Sequence, residues 1–255
     1  MVFRQTAIRL SQKSKSKSSS WAARQNRDPY VKMRLTDPAA YRARSAFKLM
    51  EINEQANGFL DYPDVNAVVD LGAAPGGWSQ VKVAEELDHF DPLNIDDMGG
   101  TAKTKGRGTI LAVDLLKVDP IPGVKTIQAD FMLDSTTTLL KNLLRNADNP
   151  EGKADVILSD MASNASGNDV HDIQSSLEIC EAVFDFARSH LRSADSIGRR
   201  RGGVLLMKFF AHPLLEEFRD DMLKPNFNNV YYVKPDSSRS TSREGYYLCQ
   251  GWKPF

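Results

Sequence analysis

Short apolar runs alternate with helical stretches after residue 27, a pattern that is typical of an α/β domain built around a mainly parallel sheet. The apolar runs predict strands at residues 67–71, 109–113, 125–128, 155–158, 203–209, 230–233 and 246–250. Amphipathic periodicity predicts helices at residues 78–87, 135–146, 173–192 and 213–223. Because no helix separates the last two strands, the predicted fold is a seven-stranded, mostly parallel sheet with an antiparallel final hairpin and helices on both faces.

An additional helix before the first strand is predicted from a capping signal. Asp37-Pro38 provides a capping carboxylate followed by a proline in the first turn, and apolar positions continue to about residue 55. Three basic residues, Arg42, Arg44 and Lys48, lie within this predicted helix.

The domain organisation follows from length and pattern. The 255 residues suffice for one or at most two ordinary domains, and we predict a single domain over residues 28–255. Residues 88–108 are rich in glycine and lack periodicity, which predicts a loop insertion. No run approaches the roughly 18 apolar residues that a membrane span needs. The two cysteines, Cys180 and Cys249, are far apart and lack CxxC partners, so we expect no metal site.

Charge is unevenly distributed along the chain. Lysine and arginine balance aspartate and glutamate at 33 each, but residues 1–60 hold 12 basic and 4 acidic residues, which leaves the remainder at −8. Residues 1–27 contain seven basic residues, no acid and a cluster of serines. This composition is typical of a mitochondrial presequence and predicts the matrix as location. A disordered basic tail that contacts nucleic-acid phosphates remains the alternative.

A glycine-rich loop at residues 72–77 follows a buried strand and opens a helix. Ligands of open α/β folds bind at this carboxyl edge, and glycine lets a ligand approach the backbone closely. Because Ala74 and Pro75 interrupt the GxGxxG spacing, a mononucleotide-like cofactor is favoured over a dinucleotide. Asp70, at the end of the strand, suits a cationic ligand such as the methionyl part of S-adenosylmethionine.

Two further acids, Asp114 and Asp130, follow the second and third strands. Asp114 is placed to accept hydrogen bonds from ribose hydroxyls, and Asp130 from an adenine amino group. The alternative is that each acid only caps a helix. Leu115 and Phe131, which directly follow these acids, complete this part of the predicted cofactor site.

Four charged residues are predicted to meet at the same edge of the sheet. Asp160 and Lys208 end the fourth and fifth strands, Glu244 begins the last strand, and Lys48 precedes the first. Two lysines and two acids can hold a hydroxyl, remove its proton and align it with a sulfonium methyl group, which is O-methylation chemistry. A purely structural ion-pair network is the alternative.

Several ordered segments carry a family resemblance, namely residues 45–49, 70–80, 159–162, 234–239 and 242–244. Together they resemble the FtsJ/RrmJ-like ribose 2′-O-methyltransferases. The resemblance implies a Rossmann-like class I fold, S-adenosylmethionine as methyl donor and a catalytic tetrad of Lys48, Asp160, Lys208 and Glu244. Cofactor contacts are expected at Asp70, Gly72, Ala74, Pro75, Gly76, Gly77, Trp78, Asp114, Leu115, Asp130, Phe131 and Asp160.

The segment at residues 27–32, together with the basic segment before it, is similar to the mitochondrial branch of this family, which methylates a uridine of large-subunit rRNA. The expected partner is therefore that rRNA or the assembling mitochondrial large subunit, and we expect a monomer. Contacts to RNA phosphates are expected from Arg42, Arg44, Arg239 and Arg243. The run at residues 199–201 is either a solvated loop or a further RNA contact.

Alternative functions are an rRNA-binding assembly factor whose methylation is dispensable, or 2′-O-methylation of another RNA such as tRNA. A nicotinamide-dependent oxidoreductase would need only the glycine-rich loop. It would leave the four charged residues unexplained.

Overall fold

The computed structural model describes residues 28–37, 39–88, 108–162 and 167–254. The presequence-like segment 1–27 and nearly all of the predicted insertion at residues 88–108 lie outside the described residues. Both therefore stay predictions. In the part that is described, no helix is long and apolar enough to cross a membrane.

The described chain forms one seven-stranded sheet with the strand order β3-β2-β1-β4-β5-β7-β6. The strands are β1 (Ala67–Leu71), β2 (Thr109–Asp114), β3 (Val124–Gln128), β4 (Val156–Ser159), β5 (Val204–Phe210), β6 (Phe227–Val233) and β7 (Glu244–Trp252). Strands β1 to β5 are parallel to one another, and β7 lies between β5 and β6 and is antiparallel to both. The predicted mostly parallel sheet with an antiparallel final hairpin is confirmed.

Helices connect the strands and cover both faces of the sheet. They are α1 (Pro29–Thr36), α2 (Ser45–Gln55), α3 (Gly77–Asp88), α4 (Asp134–Leu144), α5 (Asp169–His190), α6 (Ala194–Ile197), α7 (Pro213–Phe218) and α8 (Lys224–Asn226). A single π-helical turn at Arg219–Leu223 joins the last two. The four helices predicted after β1 are all present, with bounds that differ by a few residues.

The helix predicted to begin at Asp37 does not begin there. Asp37 follows the end of α1, and its backbone N–H donates to the carbonyl of Met33. Ala40 then adopts a φ of 46°, which is outside the helical region, and α2 begins only at Ser45. The same Asp-Pro signal does start a helix nine residues earlier, where the Asp28 carboxylate caps α1 and accepts from the N–H of Tyr30.

The core has two main parts, one on each face of the sheet. Alternate residues of β5 divide between them, so that Leu205 packs with Phe184 of α5 while Leu206 packs with Leu49 of α2. Lys208 points to the α2 face because it is two residues beyond Leu206. Alternation along β5 therefore directs the only charged residue of this strand toward Lys48.

A buried ion pair connects segments at the amino ends of the parallel strands. The Asp155 side chain is 1% exposed and receives a hydrogen bond from Arg192 at 2.8 Å. Its other oxygen accepts from the backbone N–H groups of Asn66 and Ala67 at 2.8 and 2.9 Å. One carboxylate thus joins the start of β4 to the start of β1 and to the segment after α5.

Candidate active site

The structure brings the four predicted charged residues together at the carboxyl edge of the sheet. Lys208 Nζ lies 3.2 Å from Asp160 Oδ1 and 3.8 Å from Glu244 Oε2. Lys48 Nζ donates to Glu244 Oε1 at 2.8 Å. The four side chains are only 8–19% exposed. The predicted convergence is confirmed, and two lysines and two acids form a compact cluster that we call the tetrad.

Strand order explains why these residues meet. Strands β4 and β5 are parallel neighbours, so Asp160 and Lys208 reach the same edge. Strand β7 runs in the opposite direction and begins at this edge with Glu244, which pairs with Phe210 in register. Lys48 lies on α2, which packs on the face of the sheet to which Lys208 points.

Burial and charge act in opposite directions inside the tetrad. Burial lowers the pKa of Lys48, and the charge of Lys208 adds to this effect, although Asp160 and Glu244 oppose it. Burial on its own would raise the pKa of Glu244, but the positive charges of Lys48 and Lys208 lower it. The site therefore keeps Glu244 ionised and makes the ammonium form of Lys48 less favourable than it is in water.

Tyr246 is a member of the site that the sequence analysis missed. Its hydroxyl donates to Asp160 Oδ1 at 2.7 Å, and burial raises its pKa well above the ordinary value. The ring lies beside Trp78 with centroids 5.8 Å apart. Its position two residues after Glu244 puts it on the same face of β7, directly opposite Lys208. That alternation is the sequence signal that could have identified it.

A cavity of about 570 Å³ lies beside the tetrad at the carboxyl edges of β1, β2 and β4. Seven of the predicted cofactor residues line it: Gly72, Ala74, Asp114, Leu115, Asp130, Phe131 and Asp160. Its opposite wall comes from α5, including Glu178 and Ile179. The volume is within the range of roughly 300–1,000 Å³ that is usual for small-molecule sites.

The acids of this cavity have two functions. Asp114 accepts from the N–H groups of Ala74 and Leu116 at 2.9 and 2.7 Å, so it fixes the glycine-rich loop to the end of β2. Asp130 accepts from the N–H of Met132 at 2.9 Å. Each carboxylate retains free acceptor capacity toward the cavity. These hydrogen-bond acceptors therefore fit a ligand that donates through hydroxyl and amino groups, such as a nucleoside.

The other predicted cofactor residues, Asp70, Pro75, Gly76, Gly77 and Trp78, do not line this cavity. Trp78 Nε1 donates to the carbonyl of Ser45, and a Cβ on Gly76 would lie 2.6 Å from Ile121. Gly77 opens α3 where a Cβ would lie 3.1 Å from the Cβ of Ala43. In the structure these residues pack on the side of the loop that faces away from the cavity. Their direct contact with a cofactor stays a prediction.

Gly72→Ala is expected to weaken cofactor binding at least tenfold. Gly72 has a φ of +70°, and a Cβ there would lie 2.0 Å from Met161 Cγ, which would push this side chain out of its place in the cavity wall. Isothermal titration with S-adenosylmethionine measures the effect. Gly198→Ala is the matched control, because Gly198 has a φ of +76° but open space around its Cβ position. Equal affinity in both variants would contradict the packing argument.

Asp70→Asn is expected to stabilise the protein at about pH 8 but not at about pH 4. Asp70 is fully buried, accepts from Ser79 Oγ at 2.7 Å, and burial raises its pKa from 3.8 to about 7. Between these pH values the unfolded chain releases the proton while the folded chain retains it, so the wild type loses stability as pH rises. The asparagine variant lacks this loss.

Urea denaturation at several pH values checks this prediction. The difference in free energy of unfolding between variant and wild type should grow by roughly 2–4 kcal/mol toward alkaline pH. A difference that is independent of pH would show that Asp70 is ionised in the folded protein.

The predicted RNA-contacting arginines lie in different surroundings. Arg42 lies by the glycine-rich loop, where its guanidinium donates to the carbonyls of Asp119 and Pro120, each at 2.6 Å, and of Pro75 at 3.3 Å. Arg243 forms an exposed ion pair with Asp169 at 3.3 Å. Neither arginine lies in the tetrad, and their contact with RNA stays a prediction.

The other two arginines, Arg44 and Arg239, lie next to the tetrad and share one carboxylate. Arg44 pairs with Asp28, and Arg239 lies 3.6 Å from the same Asp28 oxygen. A second cavity, of about 290 Å³, is lined by Arg44, Lys48, Arg239, Thr241, Ser242 and Glu244. This second cavity is lined by Lys48 and Glu244 of the tetrad and the larger one by Asp160, so the tetrad borders both a nucleoside-sized site and a positively charged opening.

Comparison with known proteins identifies the family. Residues 41–252 match the family model described as FtsJ-like methyltransferase. Proteins named ribosomal RNA large subunit methyltransferase E are similar, with 39% identity in Rickettsia bellii (94% of this chain, 91% of the relative) and 36% in Pseudomonas fluorescens (94% and 97%). A Plasmodium falciparum crystal structure, provisionally named a ribosomal RNA methyltransferase, superposes with a TM-score of 0.63 at 25% identity, over 84% of this chain and 100% of that one. The chain therefore belongs to the FtsJ-like methyltransferase family.

Proposed function

We propose that this protein is an S-adenosylmethionine-dependent methyltransferase that modifies a ribose 2′-hydroxyl in large-subunit rRNA. The observation that carries the proposal is that members of the tetrad line both the 570 Å³ cavity and the positively charged 290 Å³ cavity. Two substrates could reach the tetrad through different cavities in this arrangement. The names of the similar bacterial proteins support large-subunit rRNA as the RNA.

The larger cavity fits S-adenosylmethionine. When bound, this cofactor supplies a methyl group on a positively charged sulfur. Asp114 and Asp130 are the residues that would accept hydrogen bonds from its ribose hydroxyls and adenine amino group. Asp160 lines the same cavity and also contacts Lys208, so it joins the cofactor side to the tetrad.

The tetrad would hold the RNA hydroxyl and take its proton. Lys208 Nζ is close to both acids, and in its neutral form it can accept the hydroxyl proton. Glu244 holds Lys48, which can donate a hydrogen bond to the developing oxygen anion. Tyr246 fixes Asp160 through its hydroxyl. Low exposure of all four tetrad side chains limits access of water to these groups.

We further propose the mitochondrial matrix as the location and a uridine as the target. Support for the location comes from residues 1–27, with seven basic residues and no acid. Fluorescently tagged full-length protein should colocalise with mitochondria, and reversal of the charges at Lys13, Lys15 and Lys17 should prevent this. Diffuse wild-type fluorescence would contradict the proposed location.

The decisive experiment measures transfer of a labelled methyl group from S-adenosylmethionine to unmodified mitochondrial large-subunit rRNA or precursor particles. A methylated 2′-oxygen protects the neighbouring phosphodiester from alkaline hydrolysis, so the protected position identifies the nucleotide. A single protected uridine would support the complete proposal. Transfer to tRNA instead would retain the reaction and overturn the substrate, and no transfer to any RNA while cofactor binds would overturn the reaction.

A further inference from the structure

A groove of about 360 Å³ lies outside the active site, between the end of α2 and the face of the edge strand β6. We call it the α2–β6 groove. Ile52, Val233 and Leu248 contribute apolar surface, and the side-chain amides of Gln55 and Gln250 also line it. Among the described residues that line the groove, none is an aspartate or glutamate.

Two cations, Arg201 and Lys234, line the groove. Lys234 follows β6 at the edge of the sheet that carries the tetrad, whereas Arg201 precedes β5 at the other end of the strands. Within the described ranges, Arg201 forms no ion pair. Its neighbour Arg199, in contrast, pairs with Asp64 at 2.8 Å and lies 4.1 Å from the ring of Tyr62. Within the run at residues 199–201, Arg199 therefore forms a structural ion pair, and Arg201 is the cation that can bind a ligand.

An exposed aromatic ring lies between these cations. Tyr231 is 40% exposed and lies opposite Leu248 on the α2 face of the sheet. The next residue, Tyr232, points to the other face and packs against Phe209 with ring centroids 5.6 Å apart. Exposed aromatic rings next to cations are the usual surface on which unpaired bases stack.

A hydrogen bond connects the α2–β6 groove to the 290 Å³ cavity beside the tetrad. Lys234 Nζ donates to the carbonyl of Ser242 at 2.8 Å, and Ser242 lines the 290 Å³ cavity together with Lys48 and Glu244. Along β6, Tyr231 is about 10 Å below Lys234 at the usual strand rise. A chain that leaves the tetrad can therefore pass Lys234 and reach Tyr231 within a few nucleotides.

We propose that the α2–β6 groove binds a single-stranded segment of the substrate RNA next to the target ribose. A base stacks on Tyr231, and phosphates contact Lys234 and Arg201. This inference rests on the proposed function, because it takes RNA as the substrate. An RNA strand fits better than an acidic peptide, since an exposed ring and side-chain amides between spaced cations match bases between phosphates.

Steady-state kinetics on naked RNA test the inference with Arg201→Glu and Tyr231→Ala. Each variant should raise the KM for RNA roughly five- to tenfold, while kcat and the affinity for S-adenosylmethionine stay within about twofold of wild type. Arg201→Glu should also weaken the salt dependence of RNA binding. Neither residue belongs to the tetrad or to the larger cavity, so a change in KM alone reports RNA binding.

Matched controls separate the groove from general effects. Tyr231→Phe retains the ring and should retain the wild-type KM, and Arg188→Glu changes another exposed charge, on α5, and should change the KM for RNA little. An unchanged KM in both groove variants, with an active wild type, would overturn this inference and leave the proposed function intact. A defect on ribosomal particles but not on naked RNA would also overturn it, in favour of a protein partner. An inactive wild type would instead overturn the proposed function.

Discussion

Replacement of Lys208 with alanine is expected to reduce methyl transfer by about 10²–10⁴-fold, the range that is typical for loss of an acid–base group. Lys208 Nζ is the one group of the tetrad within 4 Å of both acids, so in the proposed reaction its removal leaves the RNA hydroxyl without the partner that would orient it and accept its proton. Cofactor affinity should change little, because Lys208 does not line the 570 Å³ cavity. Single-turnover methyl transfer and calorimetric cofactor titration measure the two effects separately.

Lys153→Ala is the control, since Lys153 forms a surface pair with Glu151 away from the tetrad. This variant should transfer methyl groups at the wild-type rate. Wild-type turnover in Lys208→Ala would refute the catalytic role of Lys208. The same variant also separates catalysis from RNA binding in ribosome assembly: if it restores assembly in cells that lack the enzyme, methylation is dispensable for that process.

Asp155→Ala is expected to lower the free energy of unfolding by about 3–5 kcal/mol, the cost that is typical for breaking a buried ion pair. The substitution removes the acceptor of Arg192 and of the backbone N–H groups of Asn66 and Ala67, of which Ala67 is buried. Burial raises the pKa of Asp155, but three donors hold the carboxylate in position. Urea denaturation at neutral pH measures the loss.

Asp185→Ala provides the comparison for Asp155→Ala. Asp185 pairs with Arg188 at 3.5 Å on α5, and both side chains are about 60% exposed. Loss of this pair should cost less than about 1 kcal/mol because solvent screens it. Similar losses in the two variants would mean that Asp155 is much less important for the fold than its hydrogen bonds indicate.

The sheet was predictable because most of its strands are buried on both faces. Parallel strands of this kind are continuous apolar runs in a sequence, and β1 coincides with its predicted range of residues 67–71. The first residue of a strand was predicted least accurately for β6, which begins at Phe227 rather than at residue 230. Strand β6 is at the edge of the sheet and includes Asn228 and Asn229, so its apolar pattern is weak where it begins.

The tetrad was predictable because charged residues at the ends of apolar strands are conspicuous, whereas contacts to backbone groups are not. Arg42 donates to the backbone carbonyls of Asp119 and Pro120, which are nearly eighty positions away. No sequence pattern indicates that these carbonyls accept hydrogen bonds. The hydrogen bond from Tyr246 to Asp160 likewise depends on a distance across two strands. Helix α1 was missed because eight residues are too short for a clear periodic pattern.

Strand β7 is the last strand of the chain, and it lies between β5 and β6. The tetrad is therefore complete only after this strand has joined the sheet. Glu244 meets Lys48 across 196 sequence positions, so this contact needs closure of most of the chain. The residues that line the cavity beside β1 and β2 lie between positions 72 and 182, and none of them belongs to β7. Local opening of the C-terminal hairpin would therefore stop methyl transfer while the protein still retains its methyl donor, and enzyme activity would report the docking of this hairpin rather than the formation of the sheet as a whole.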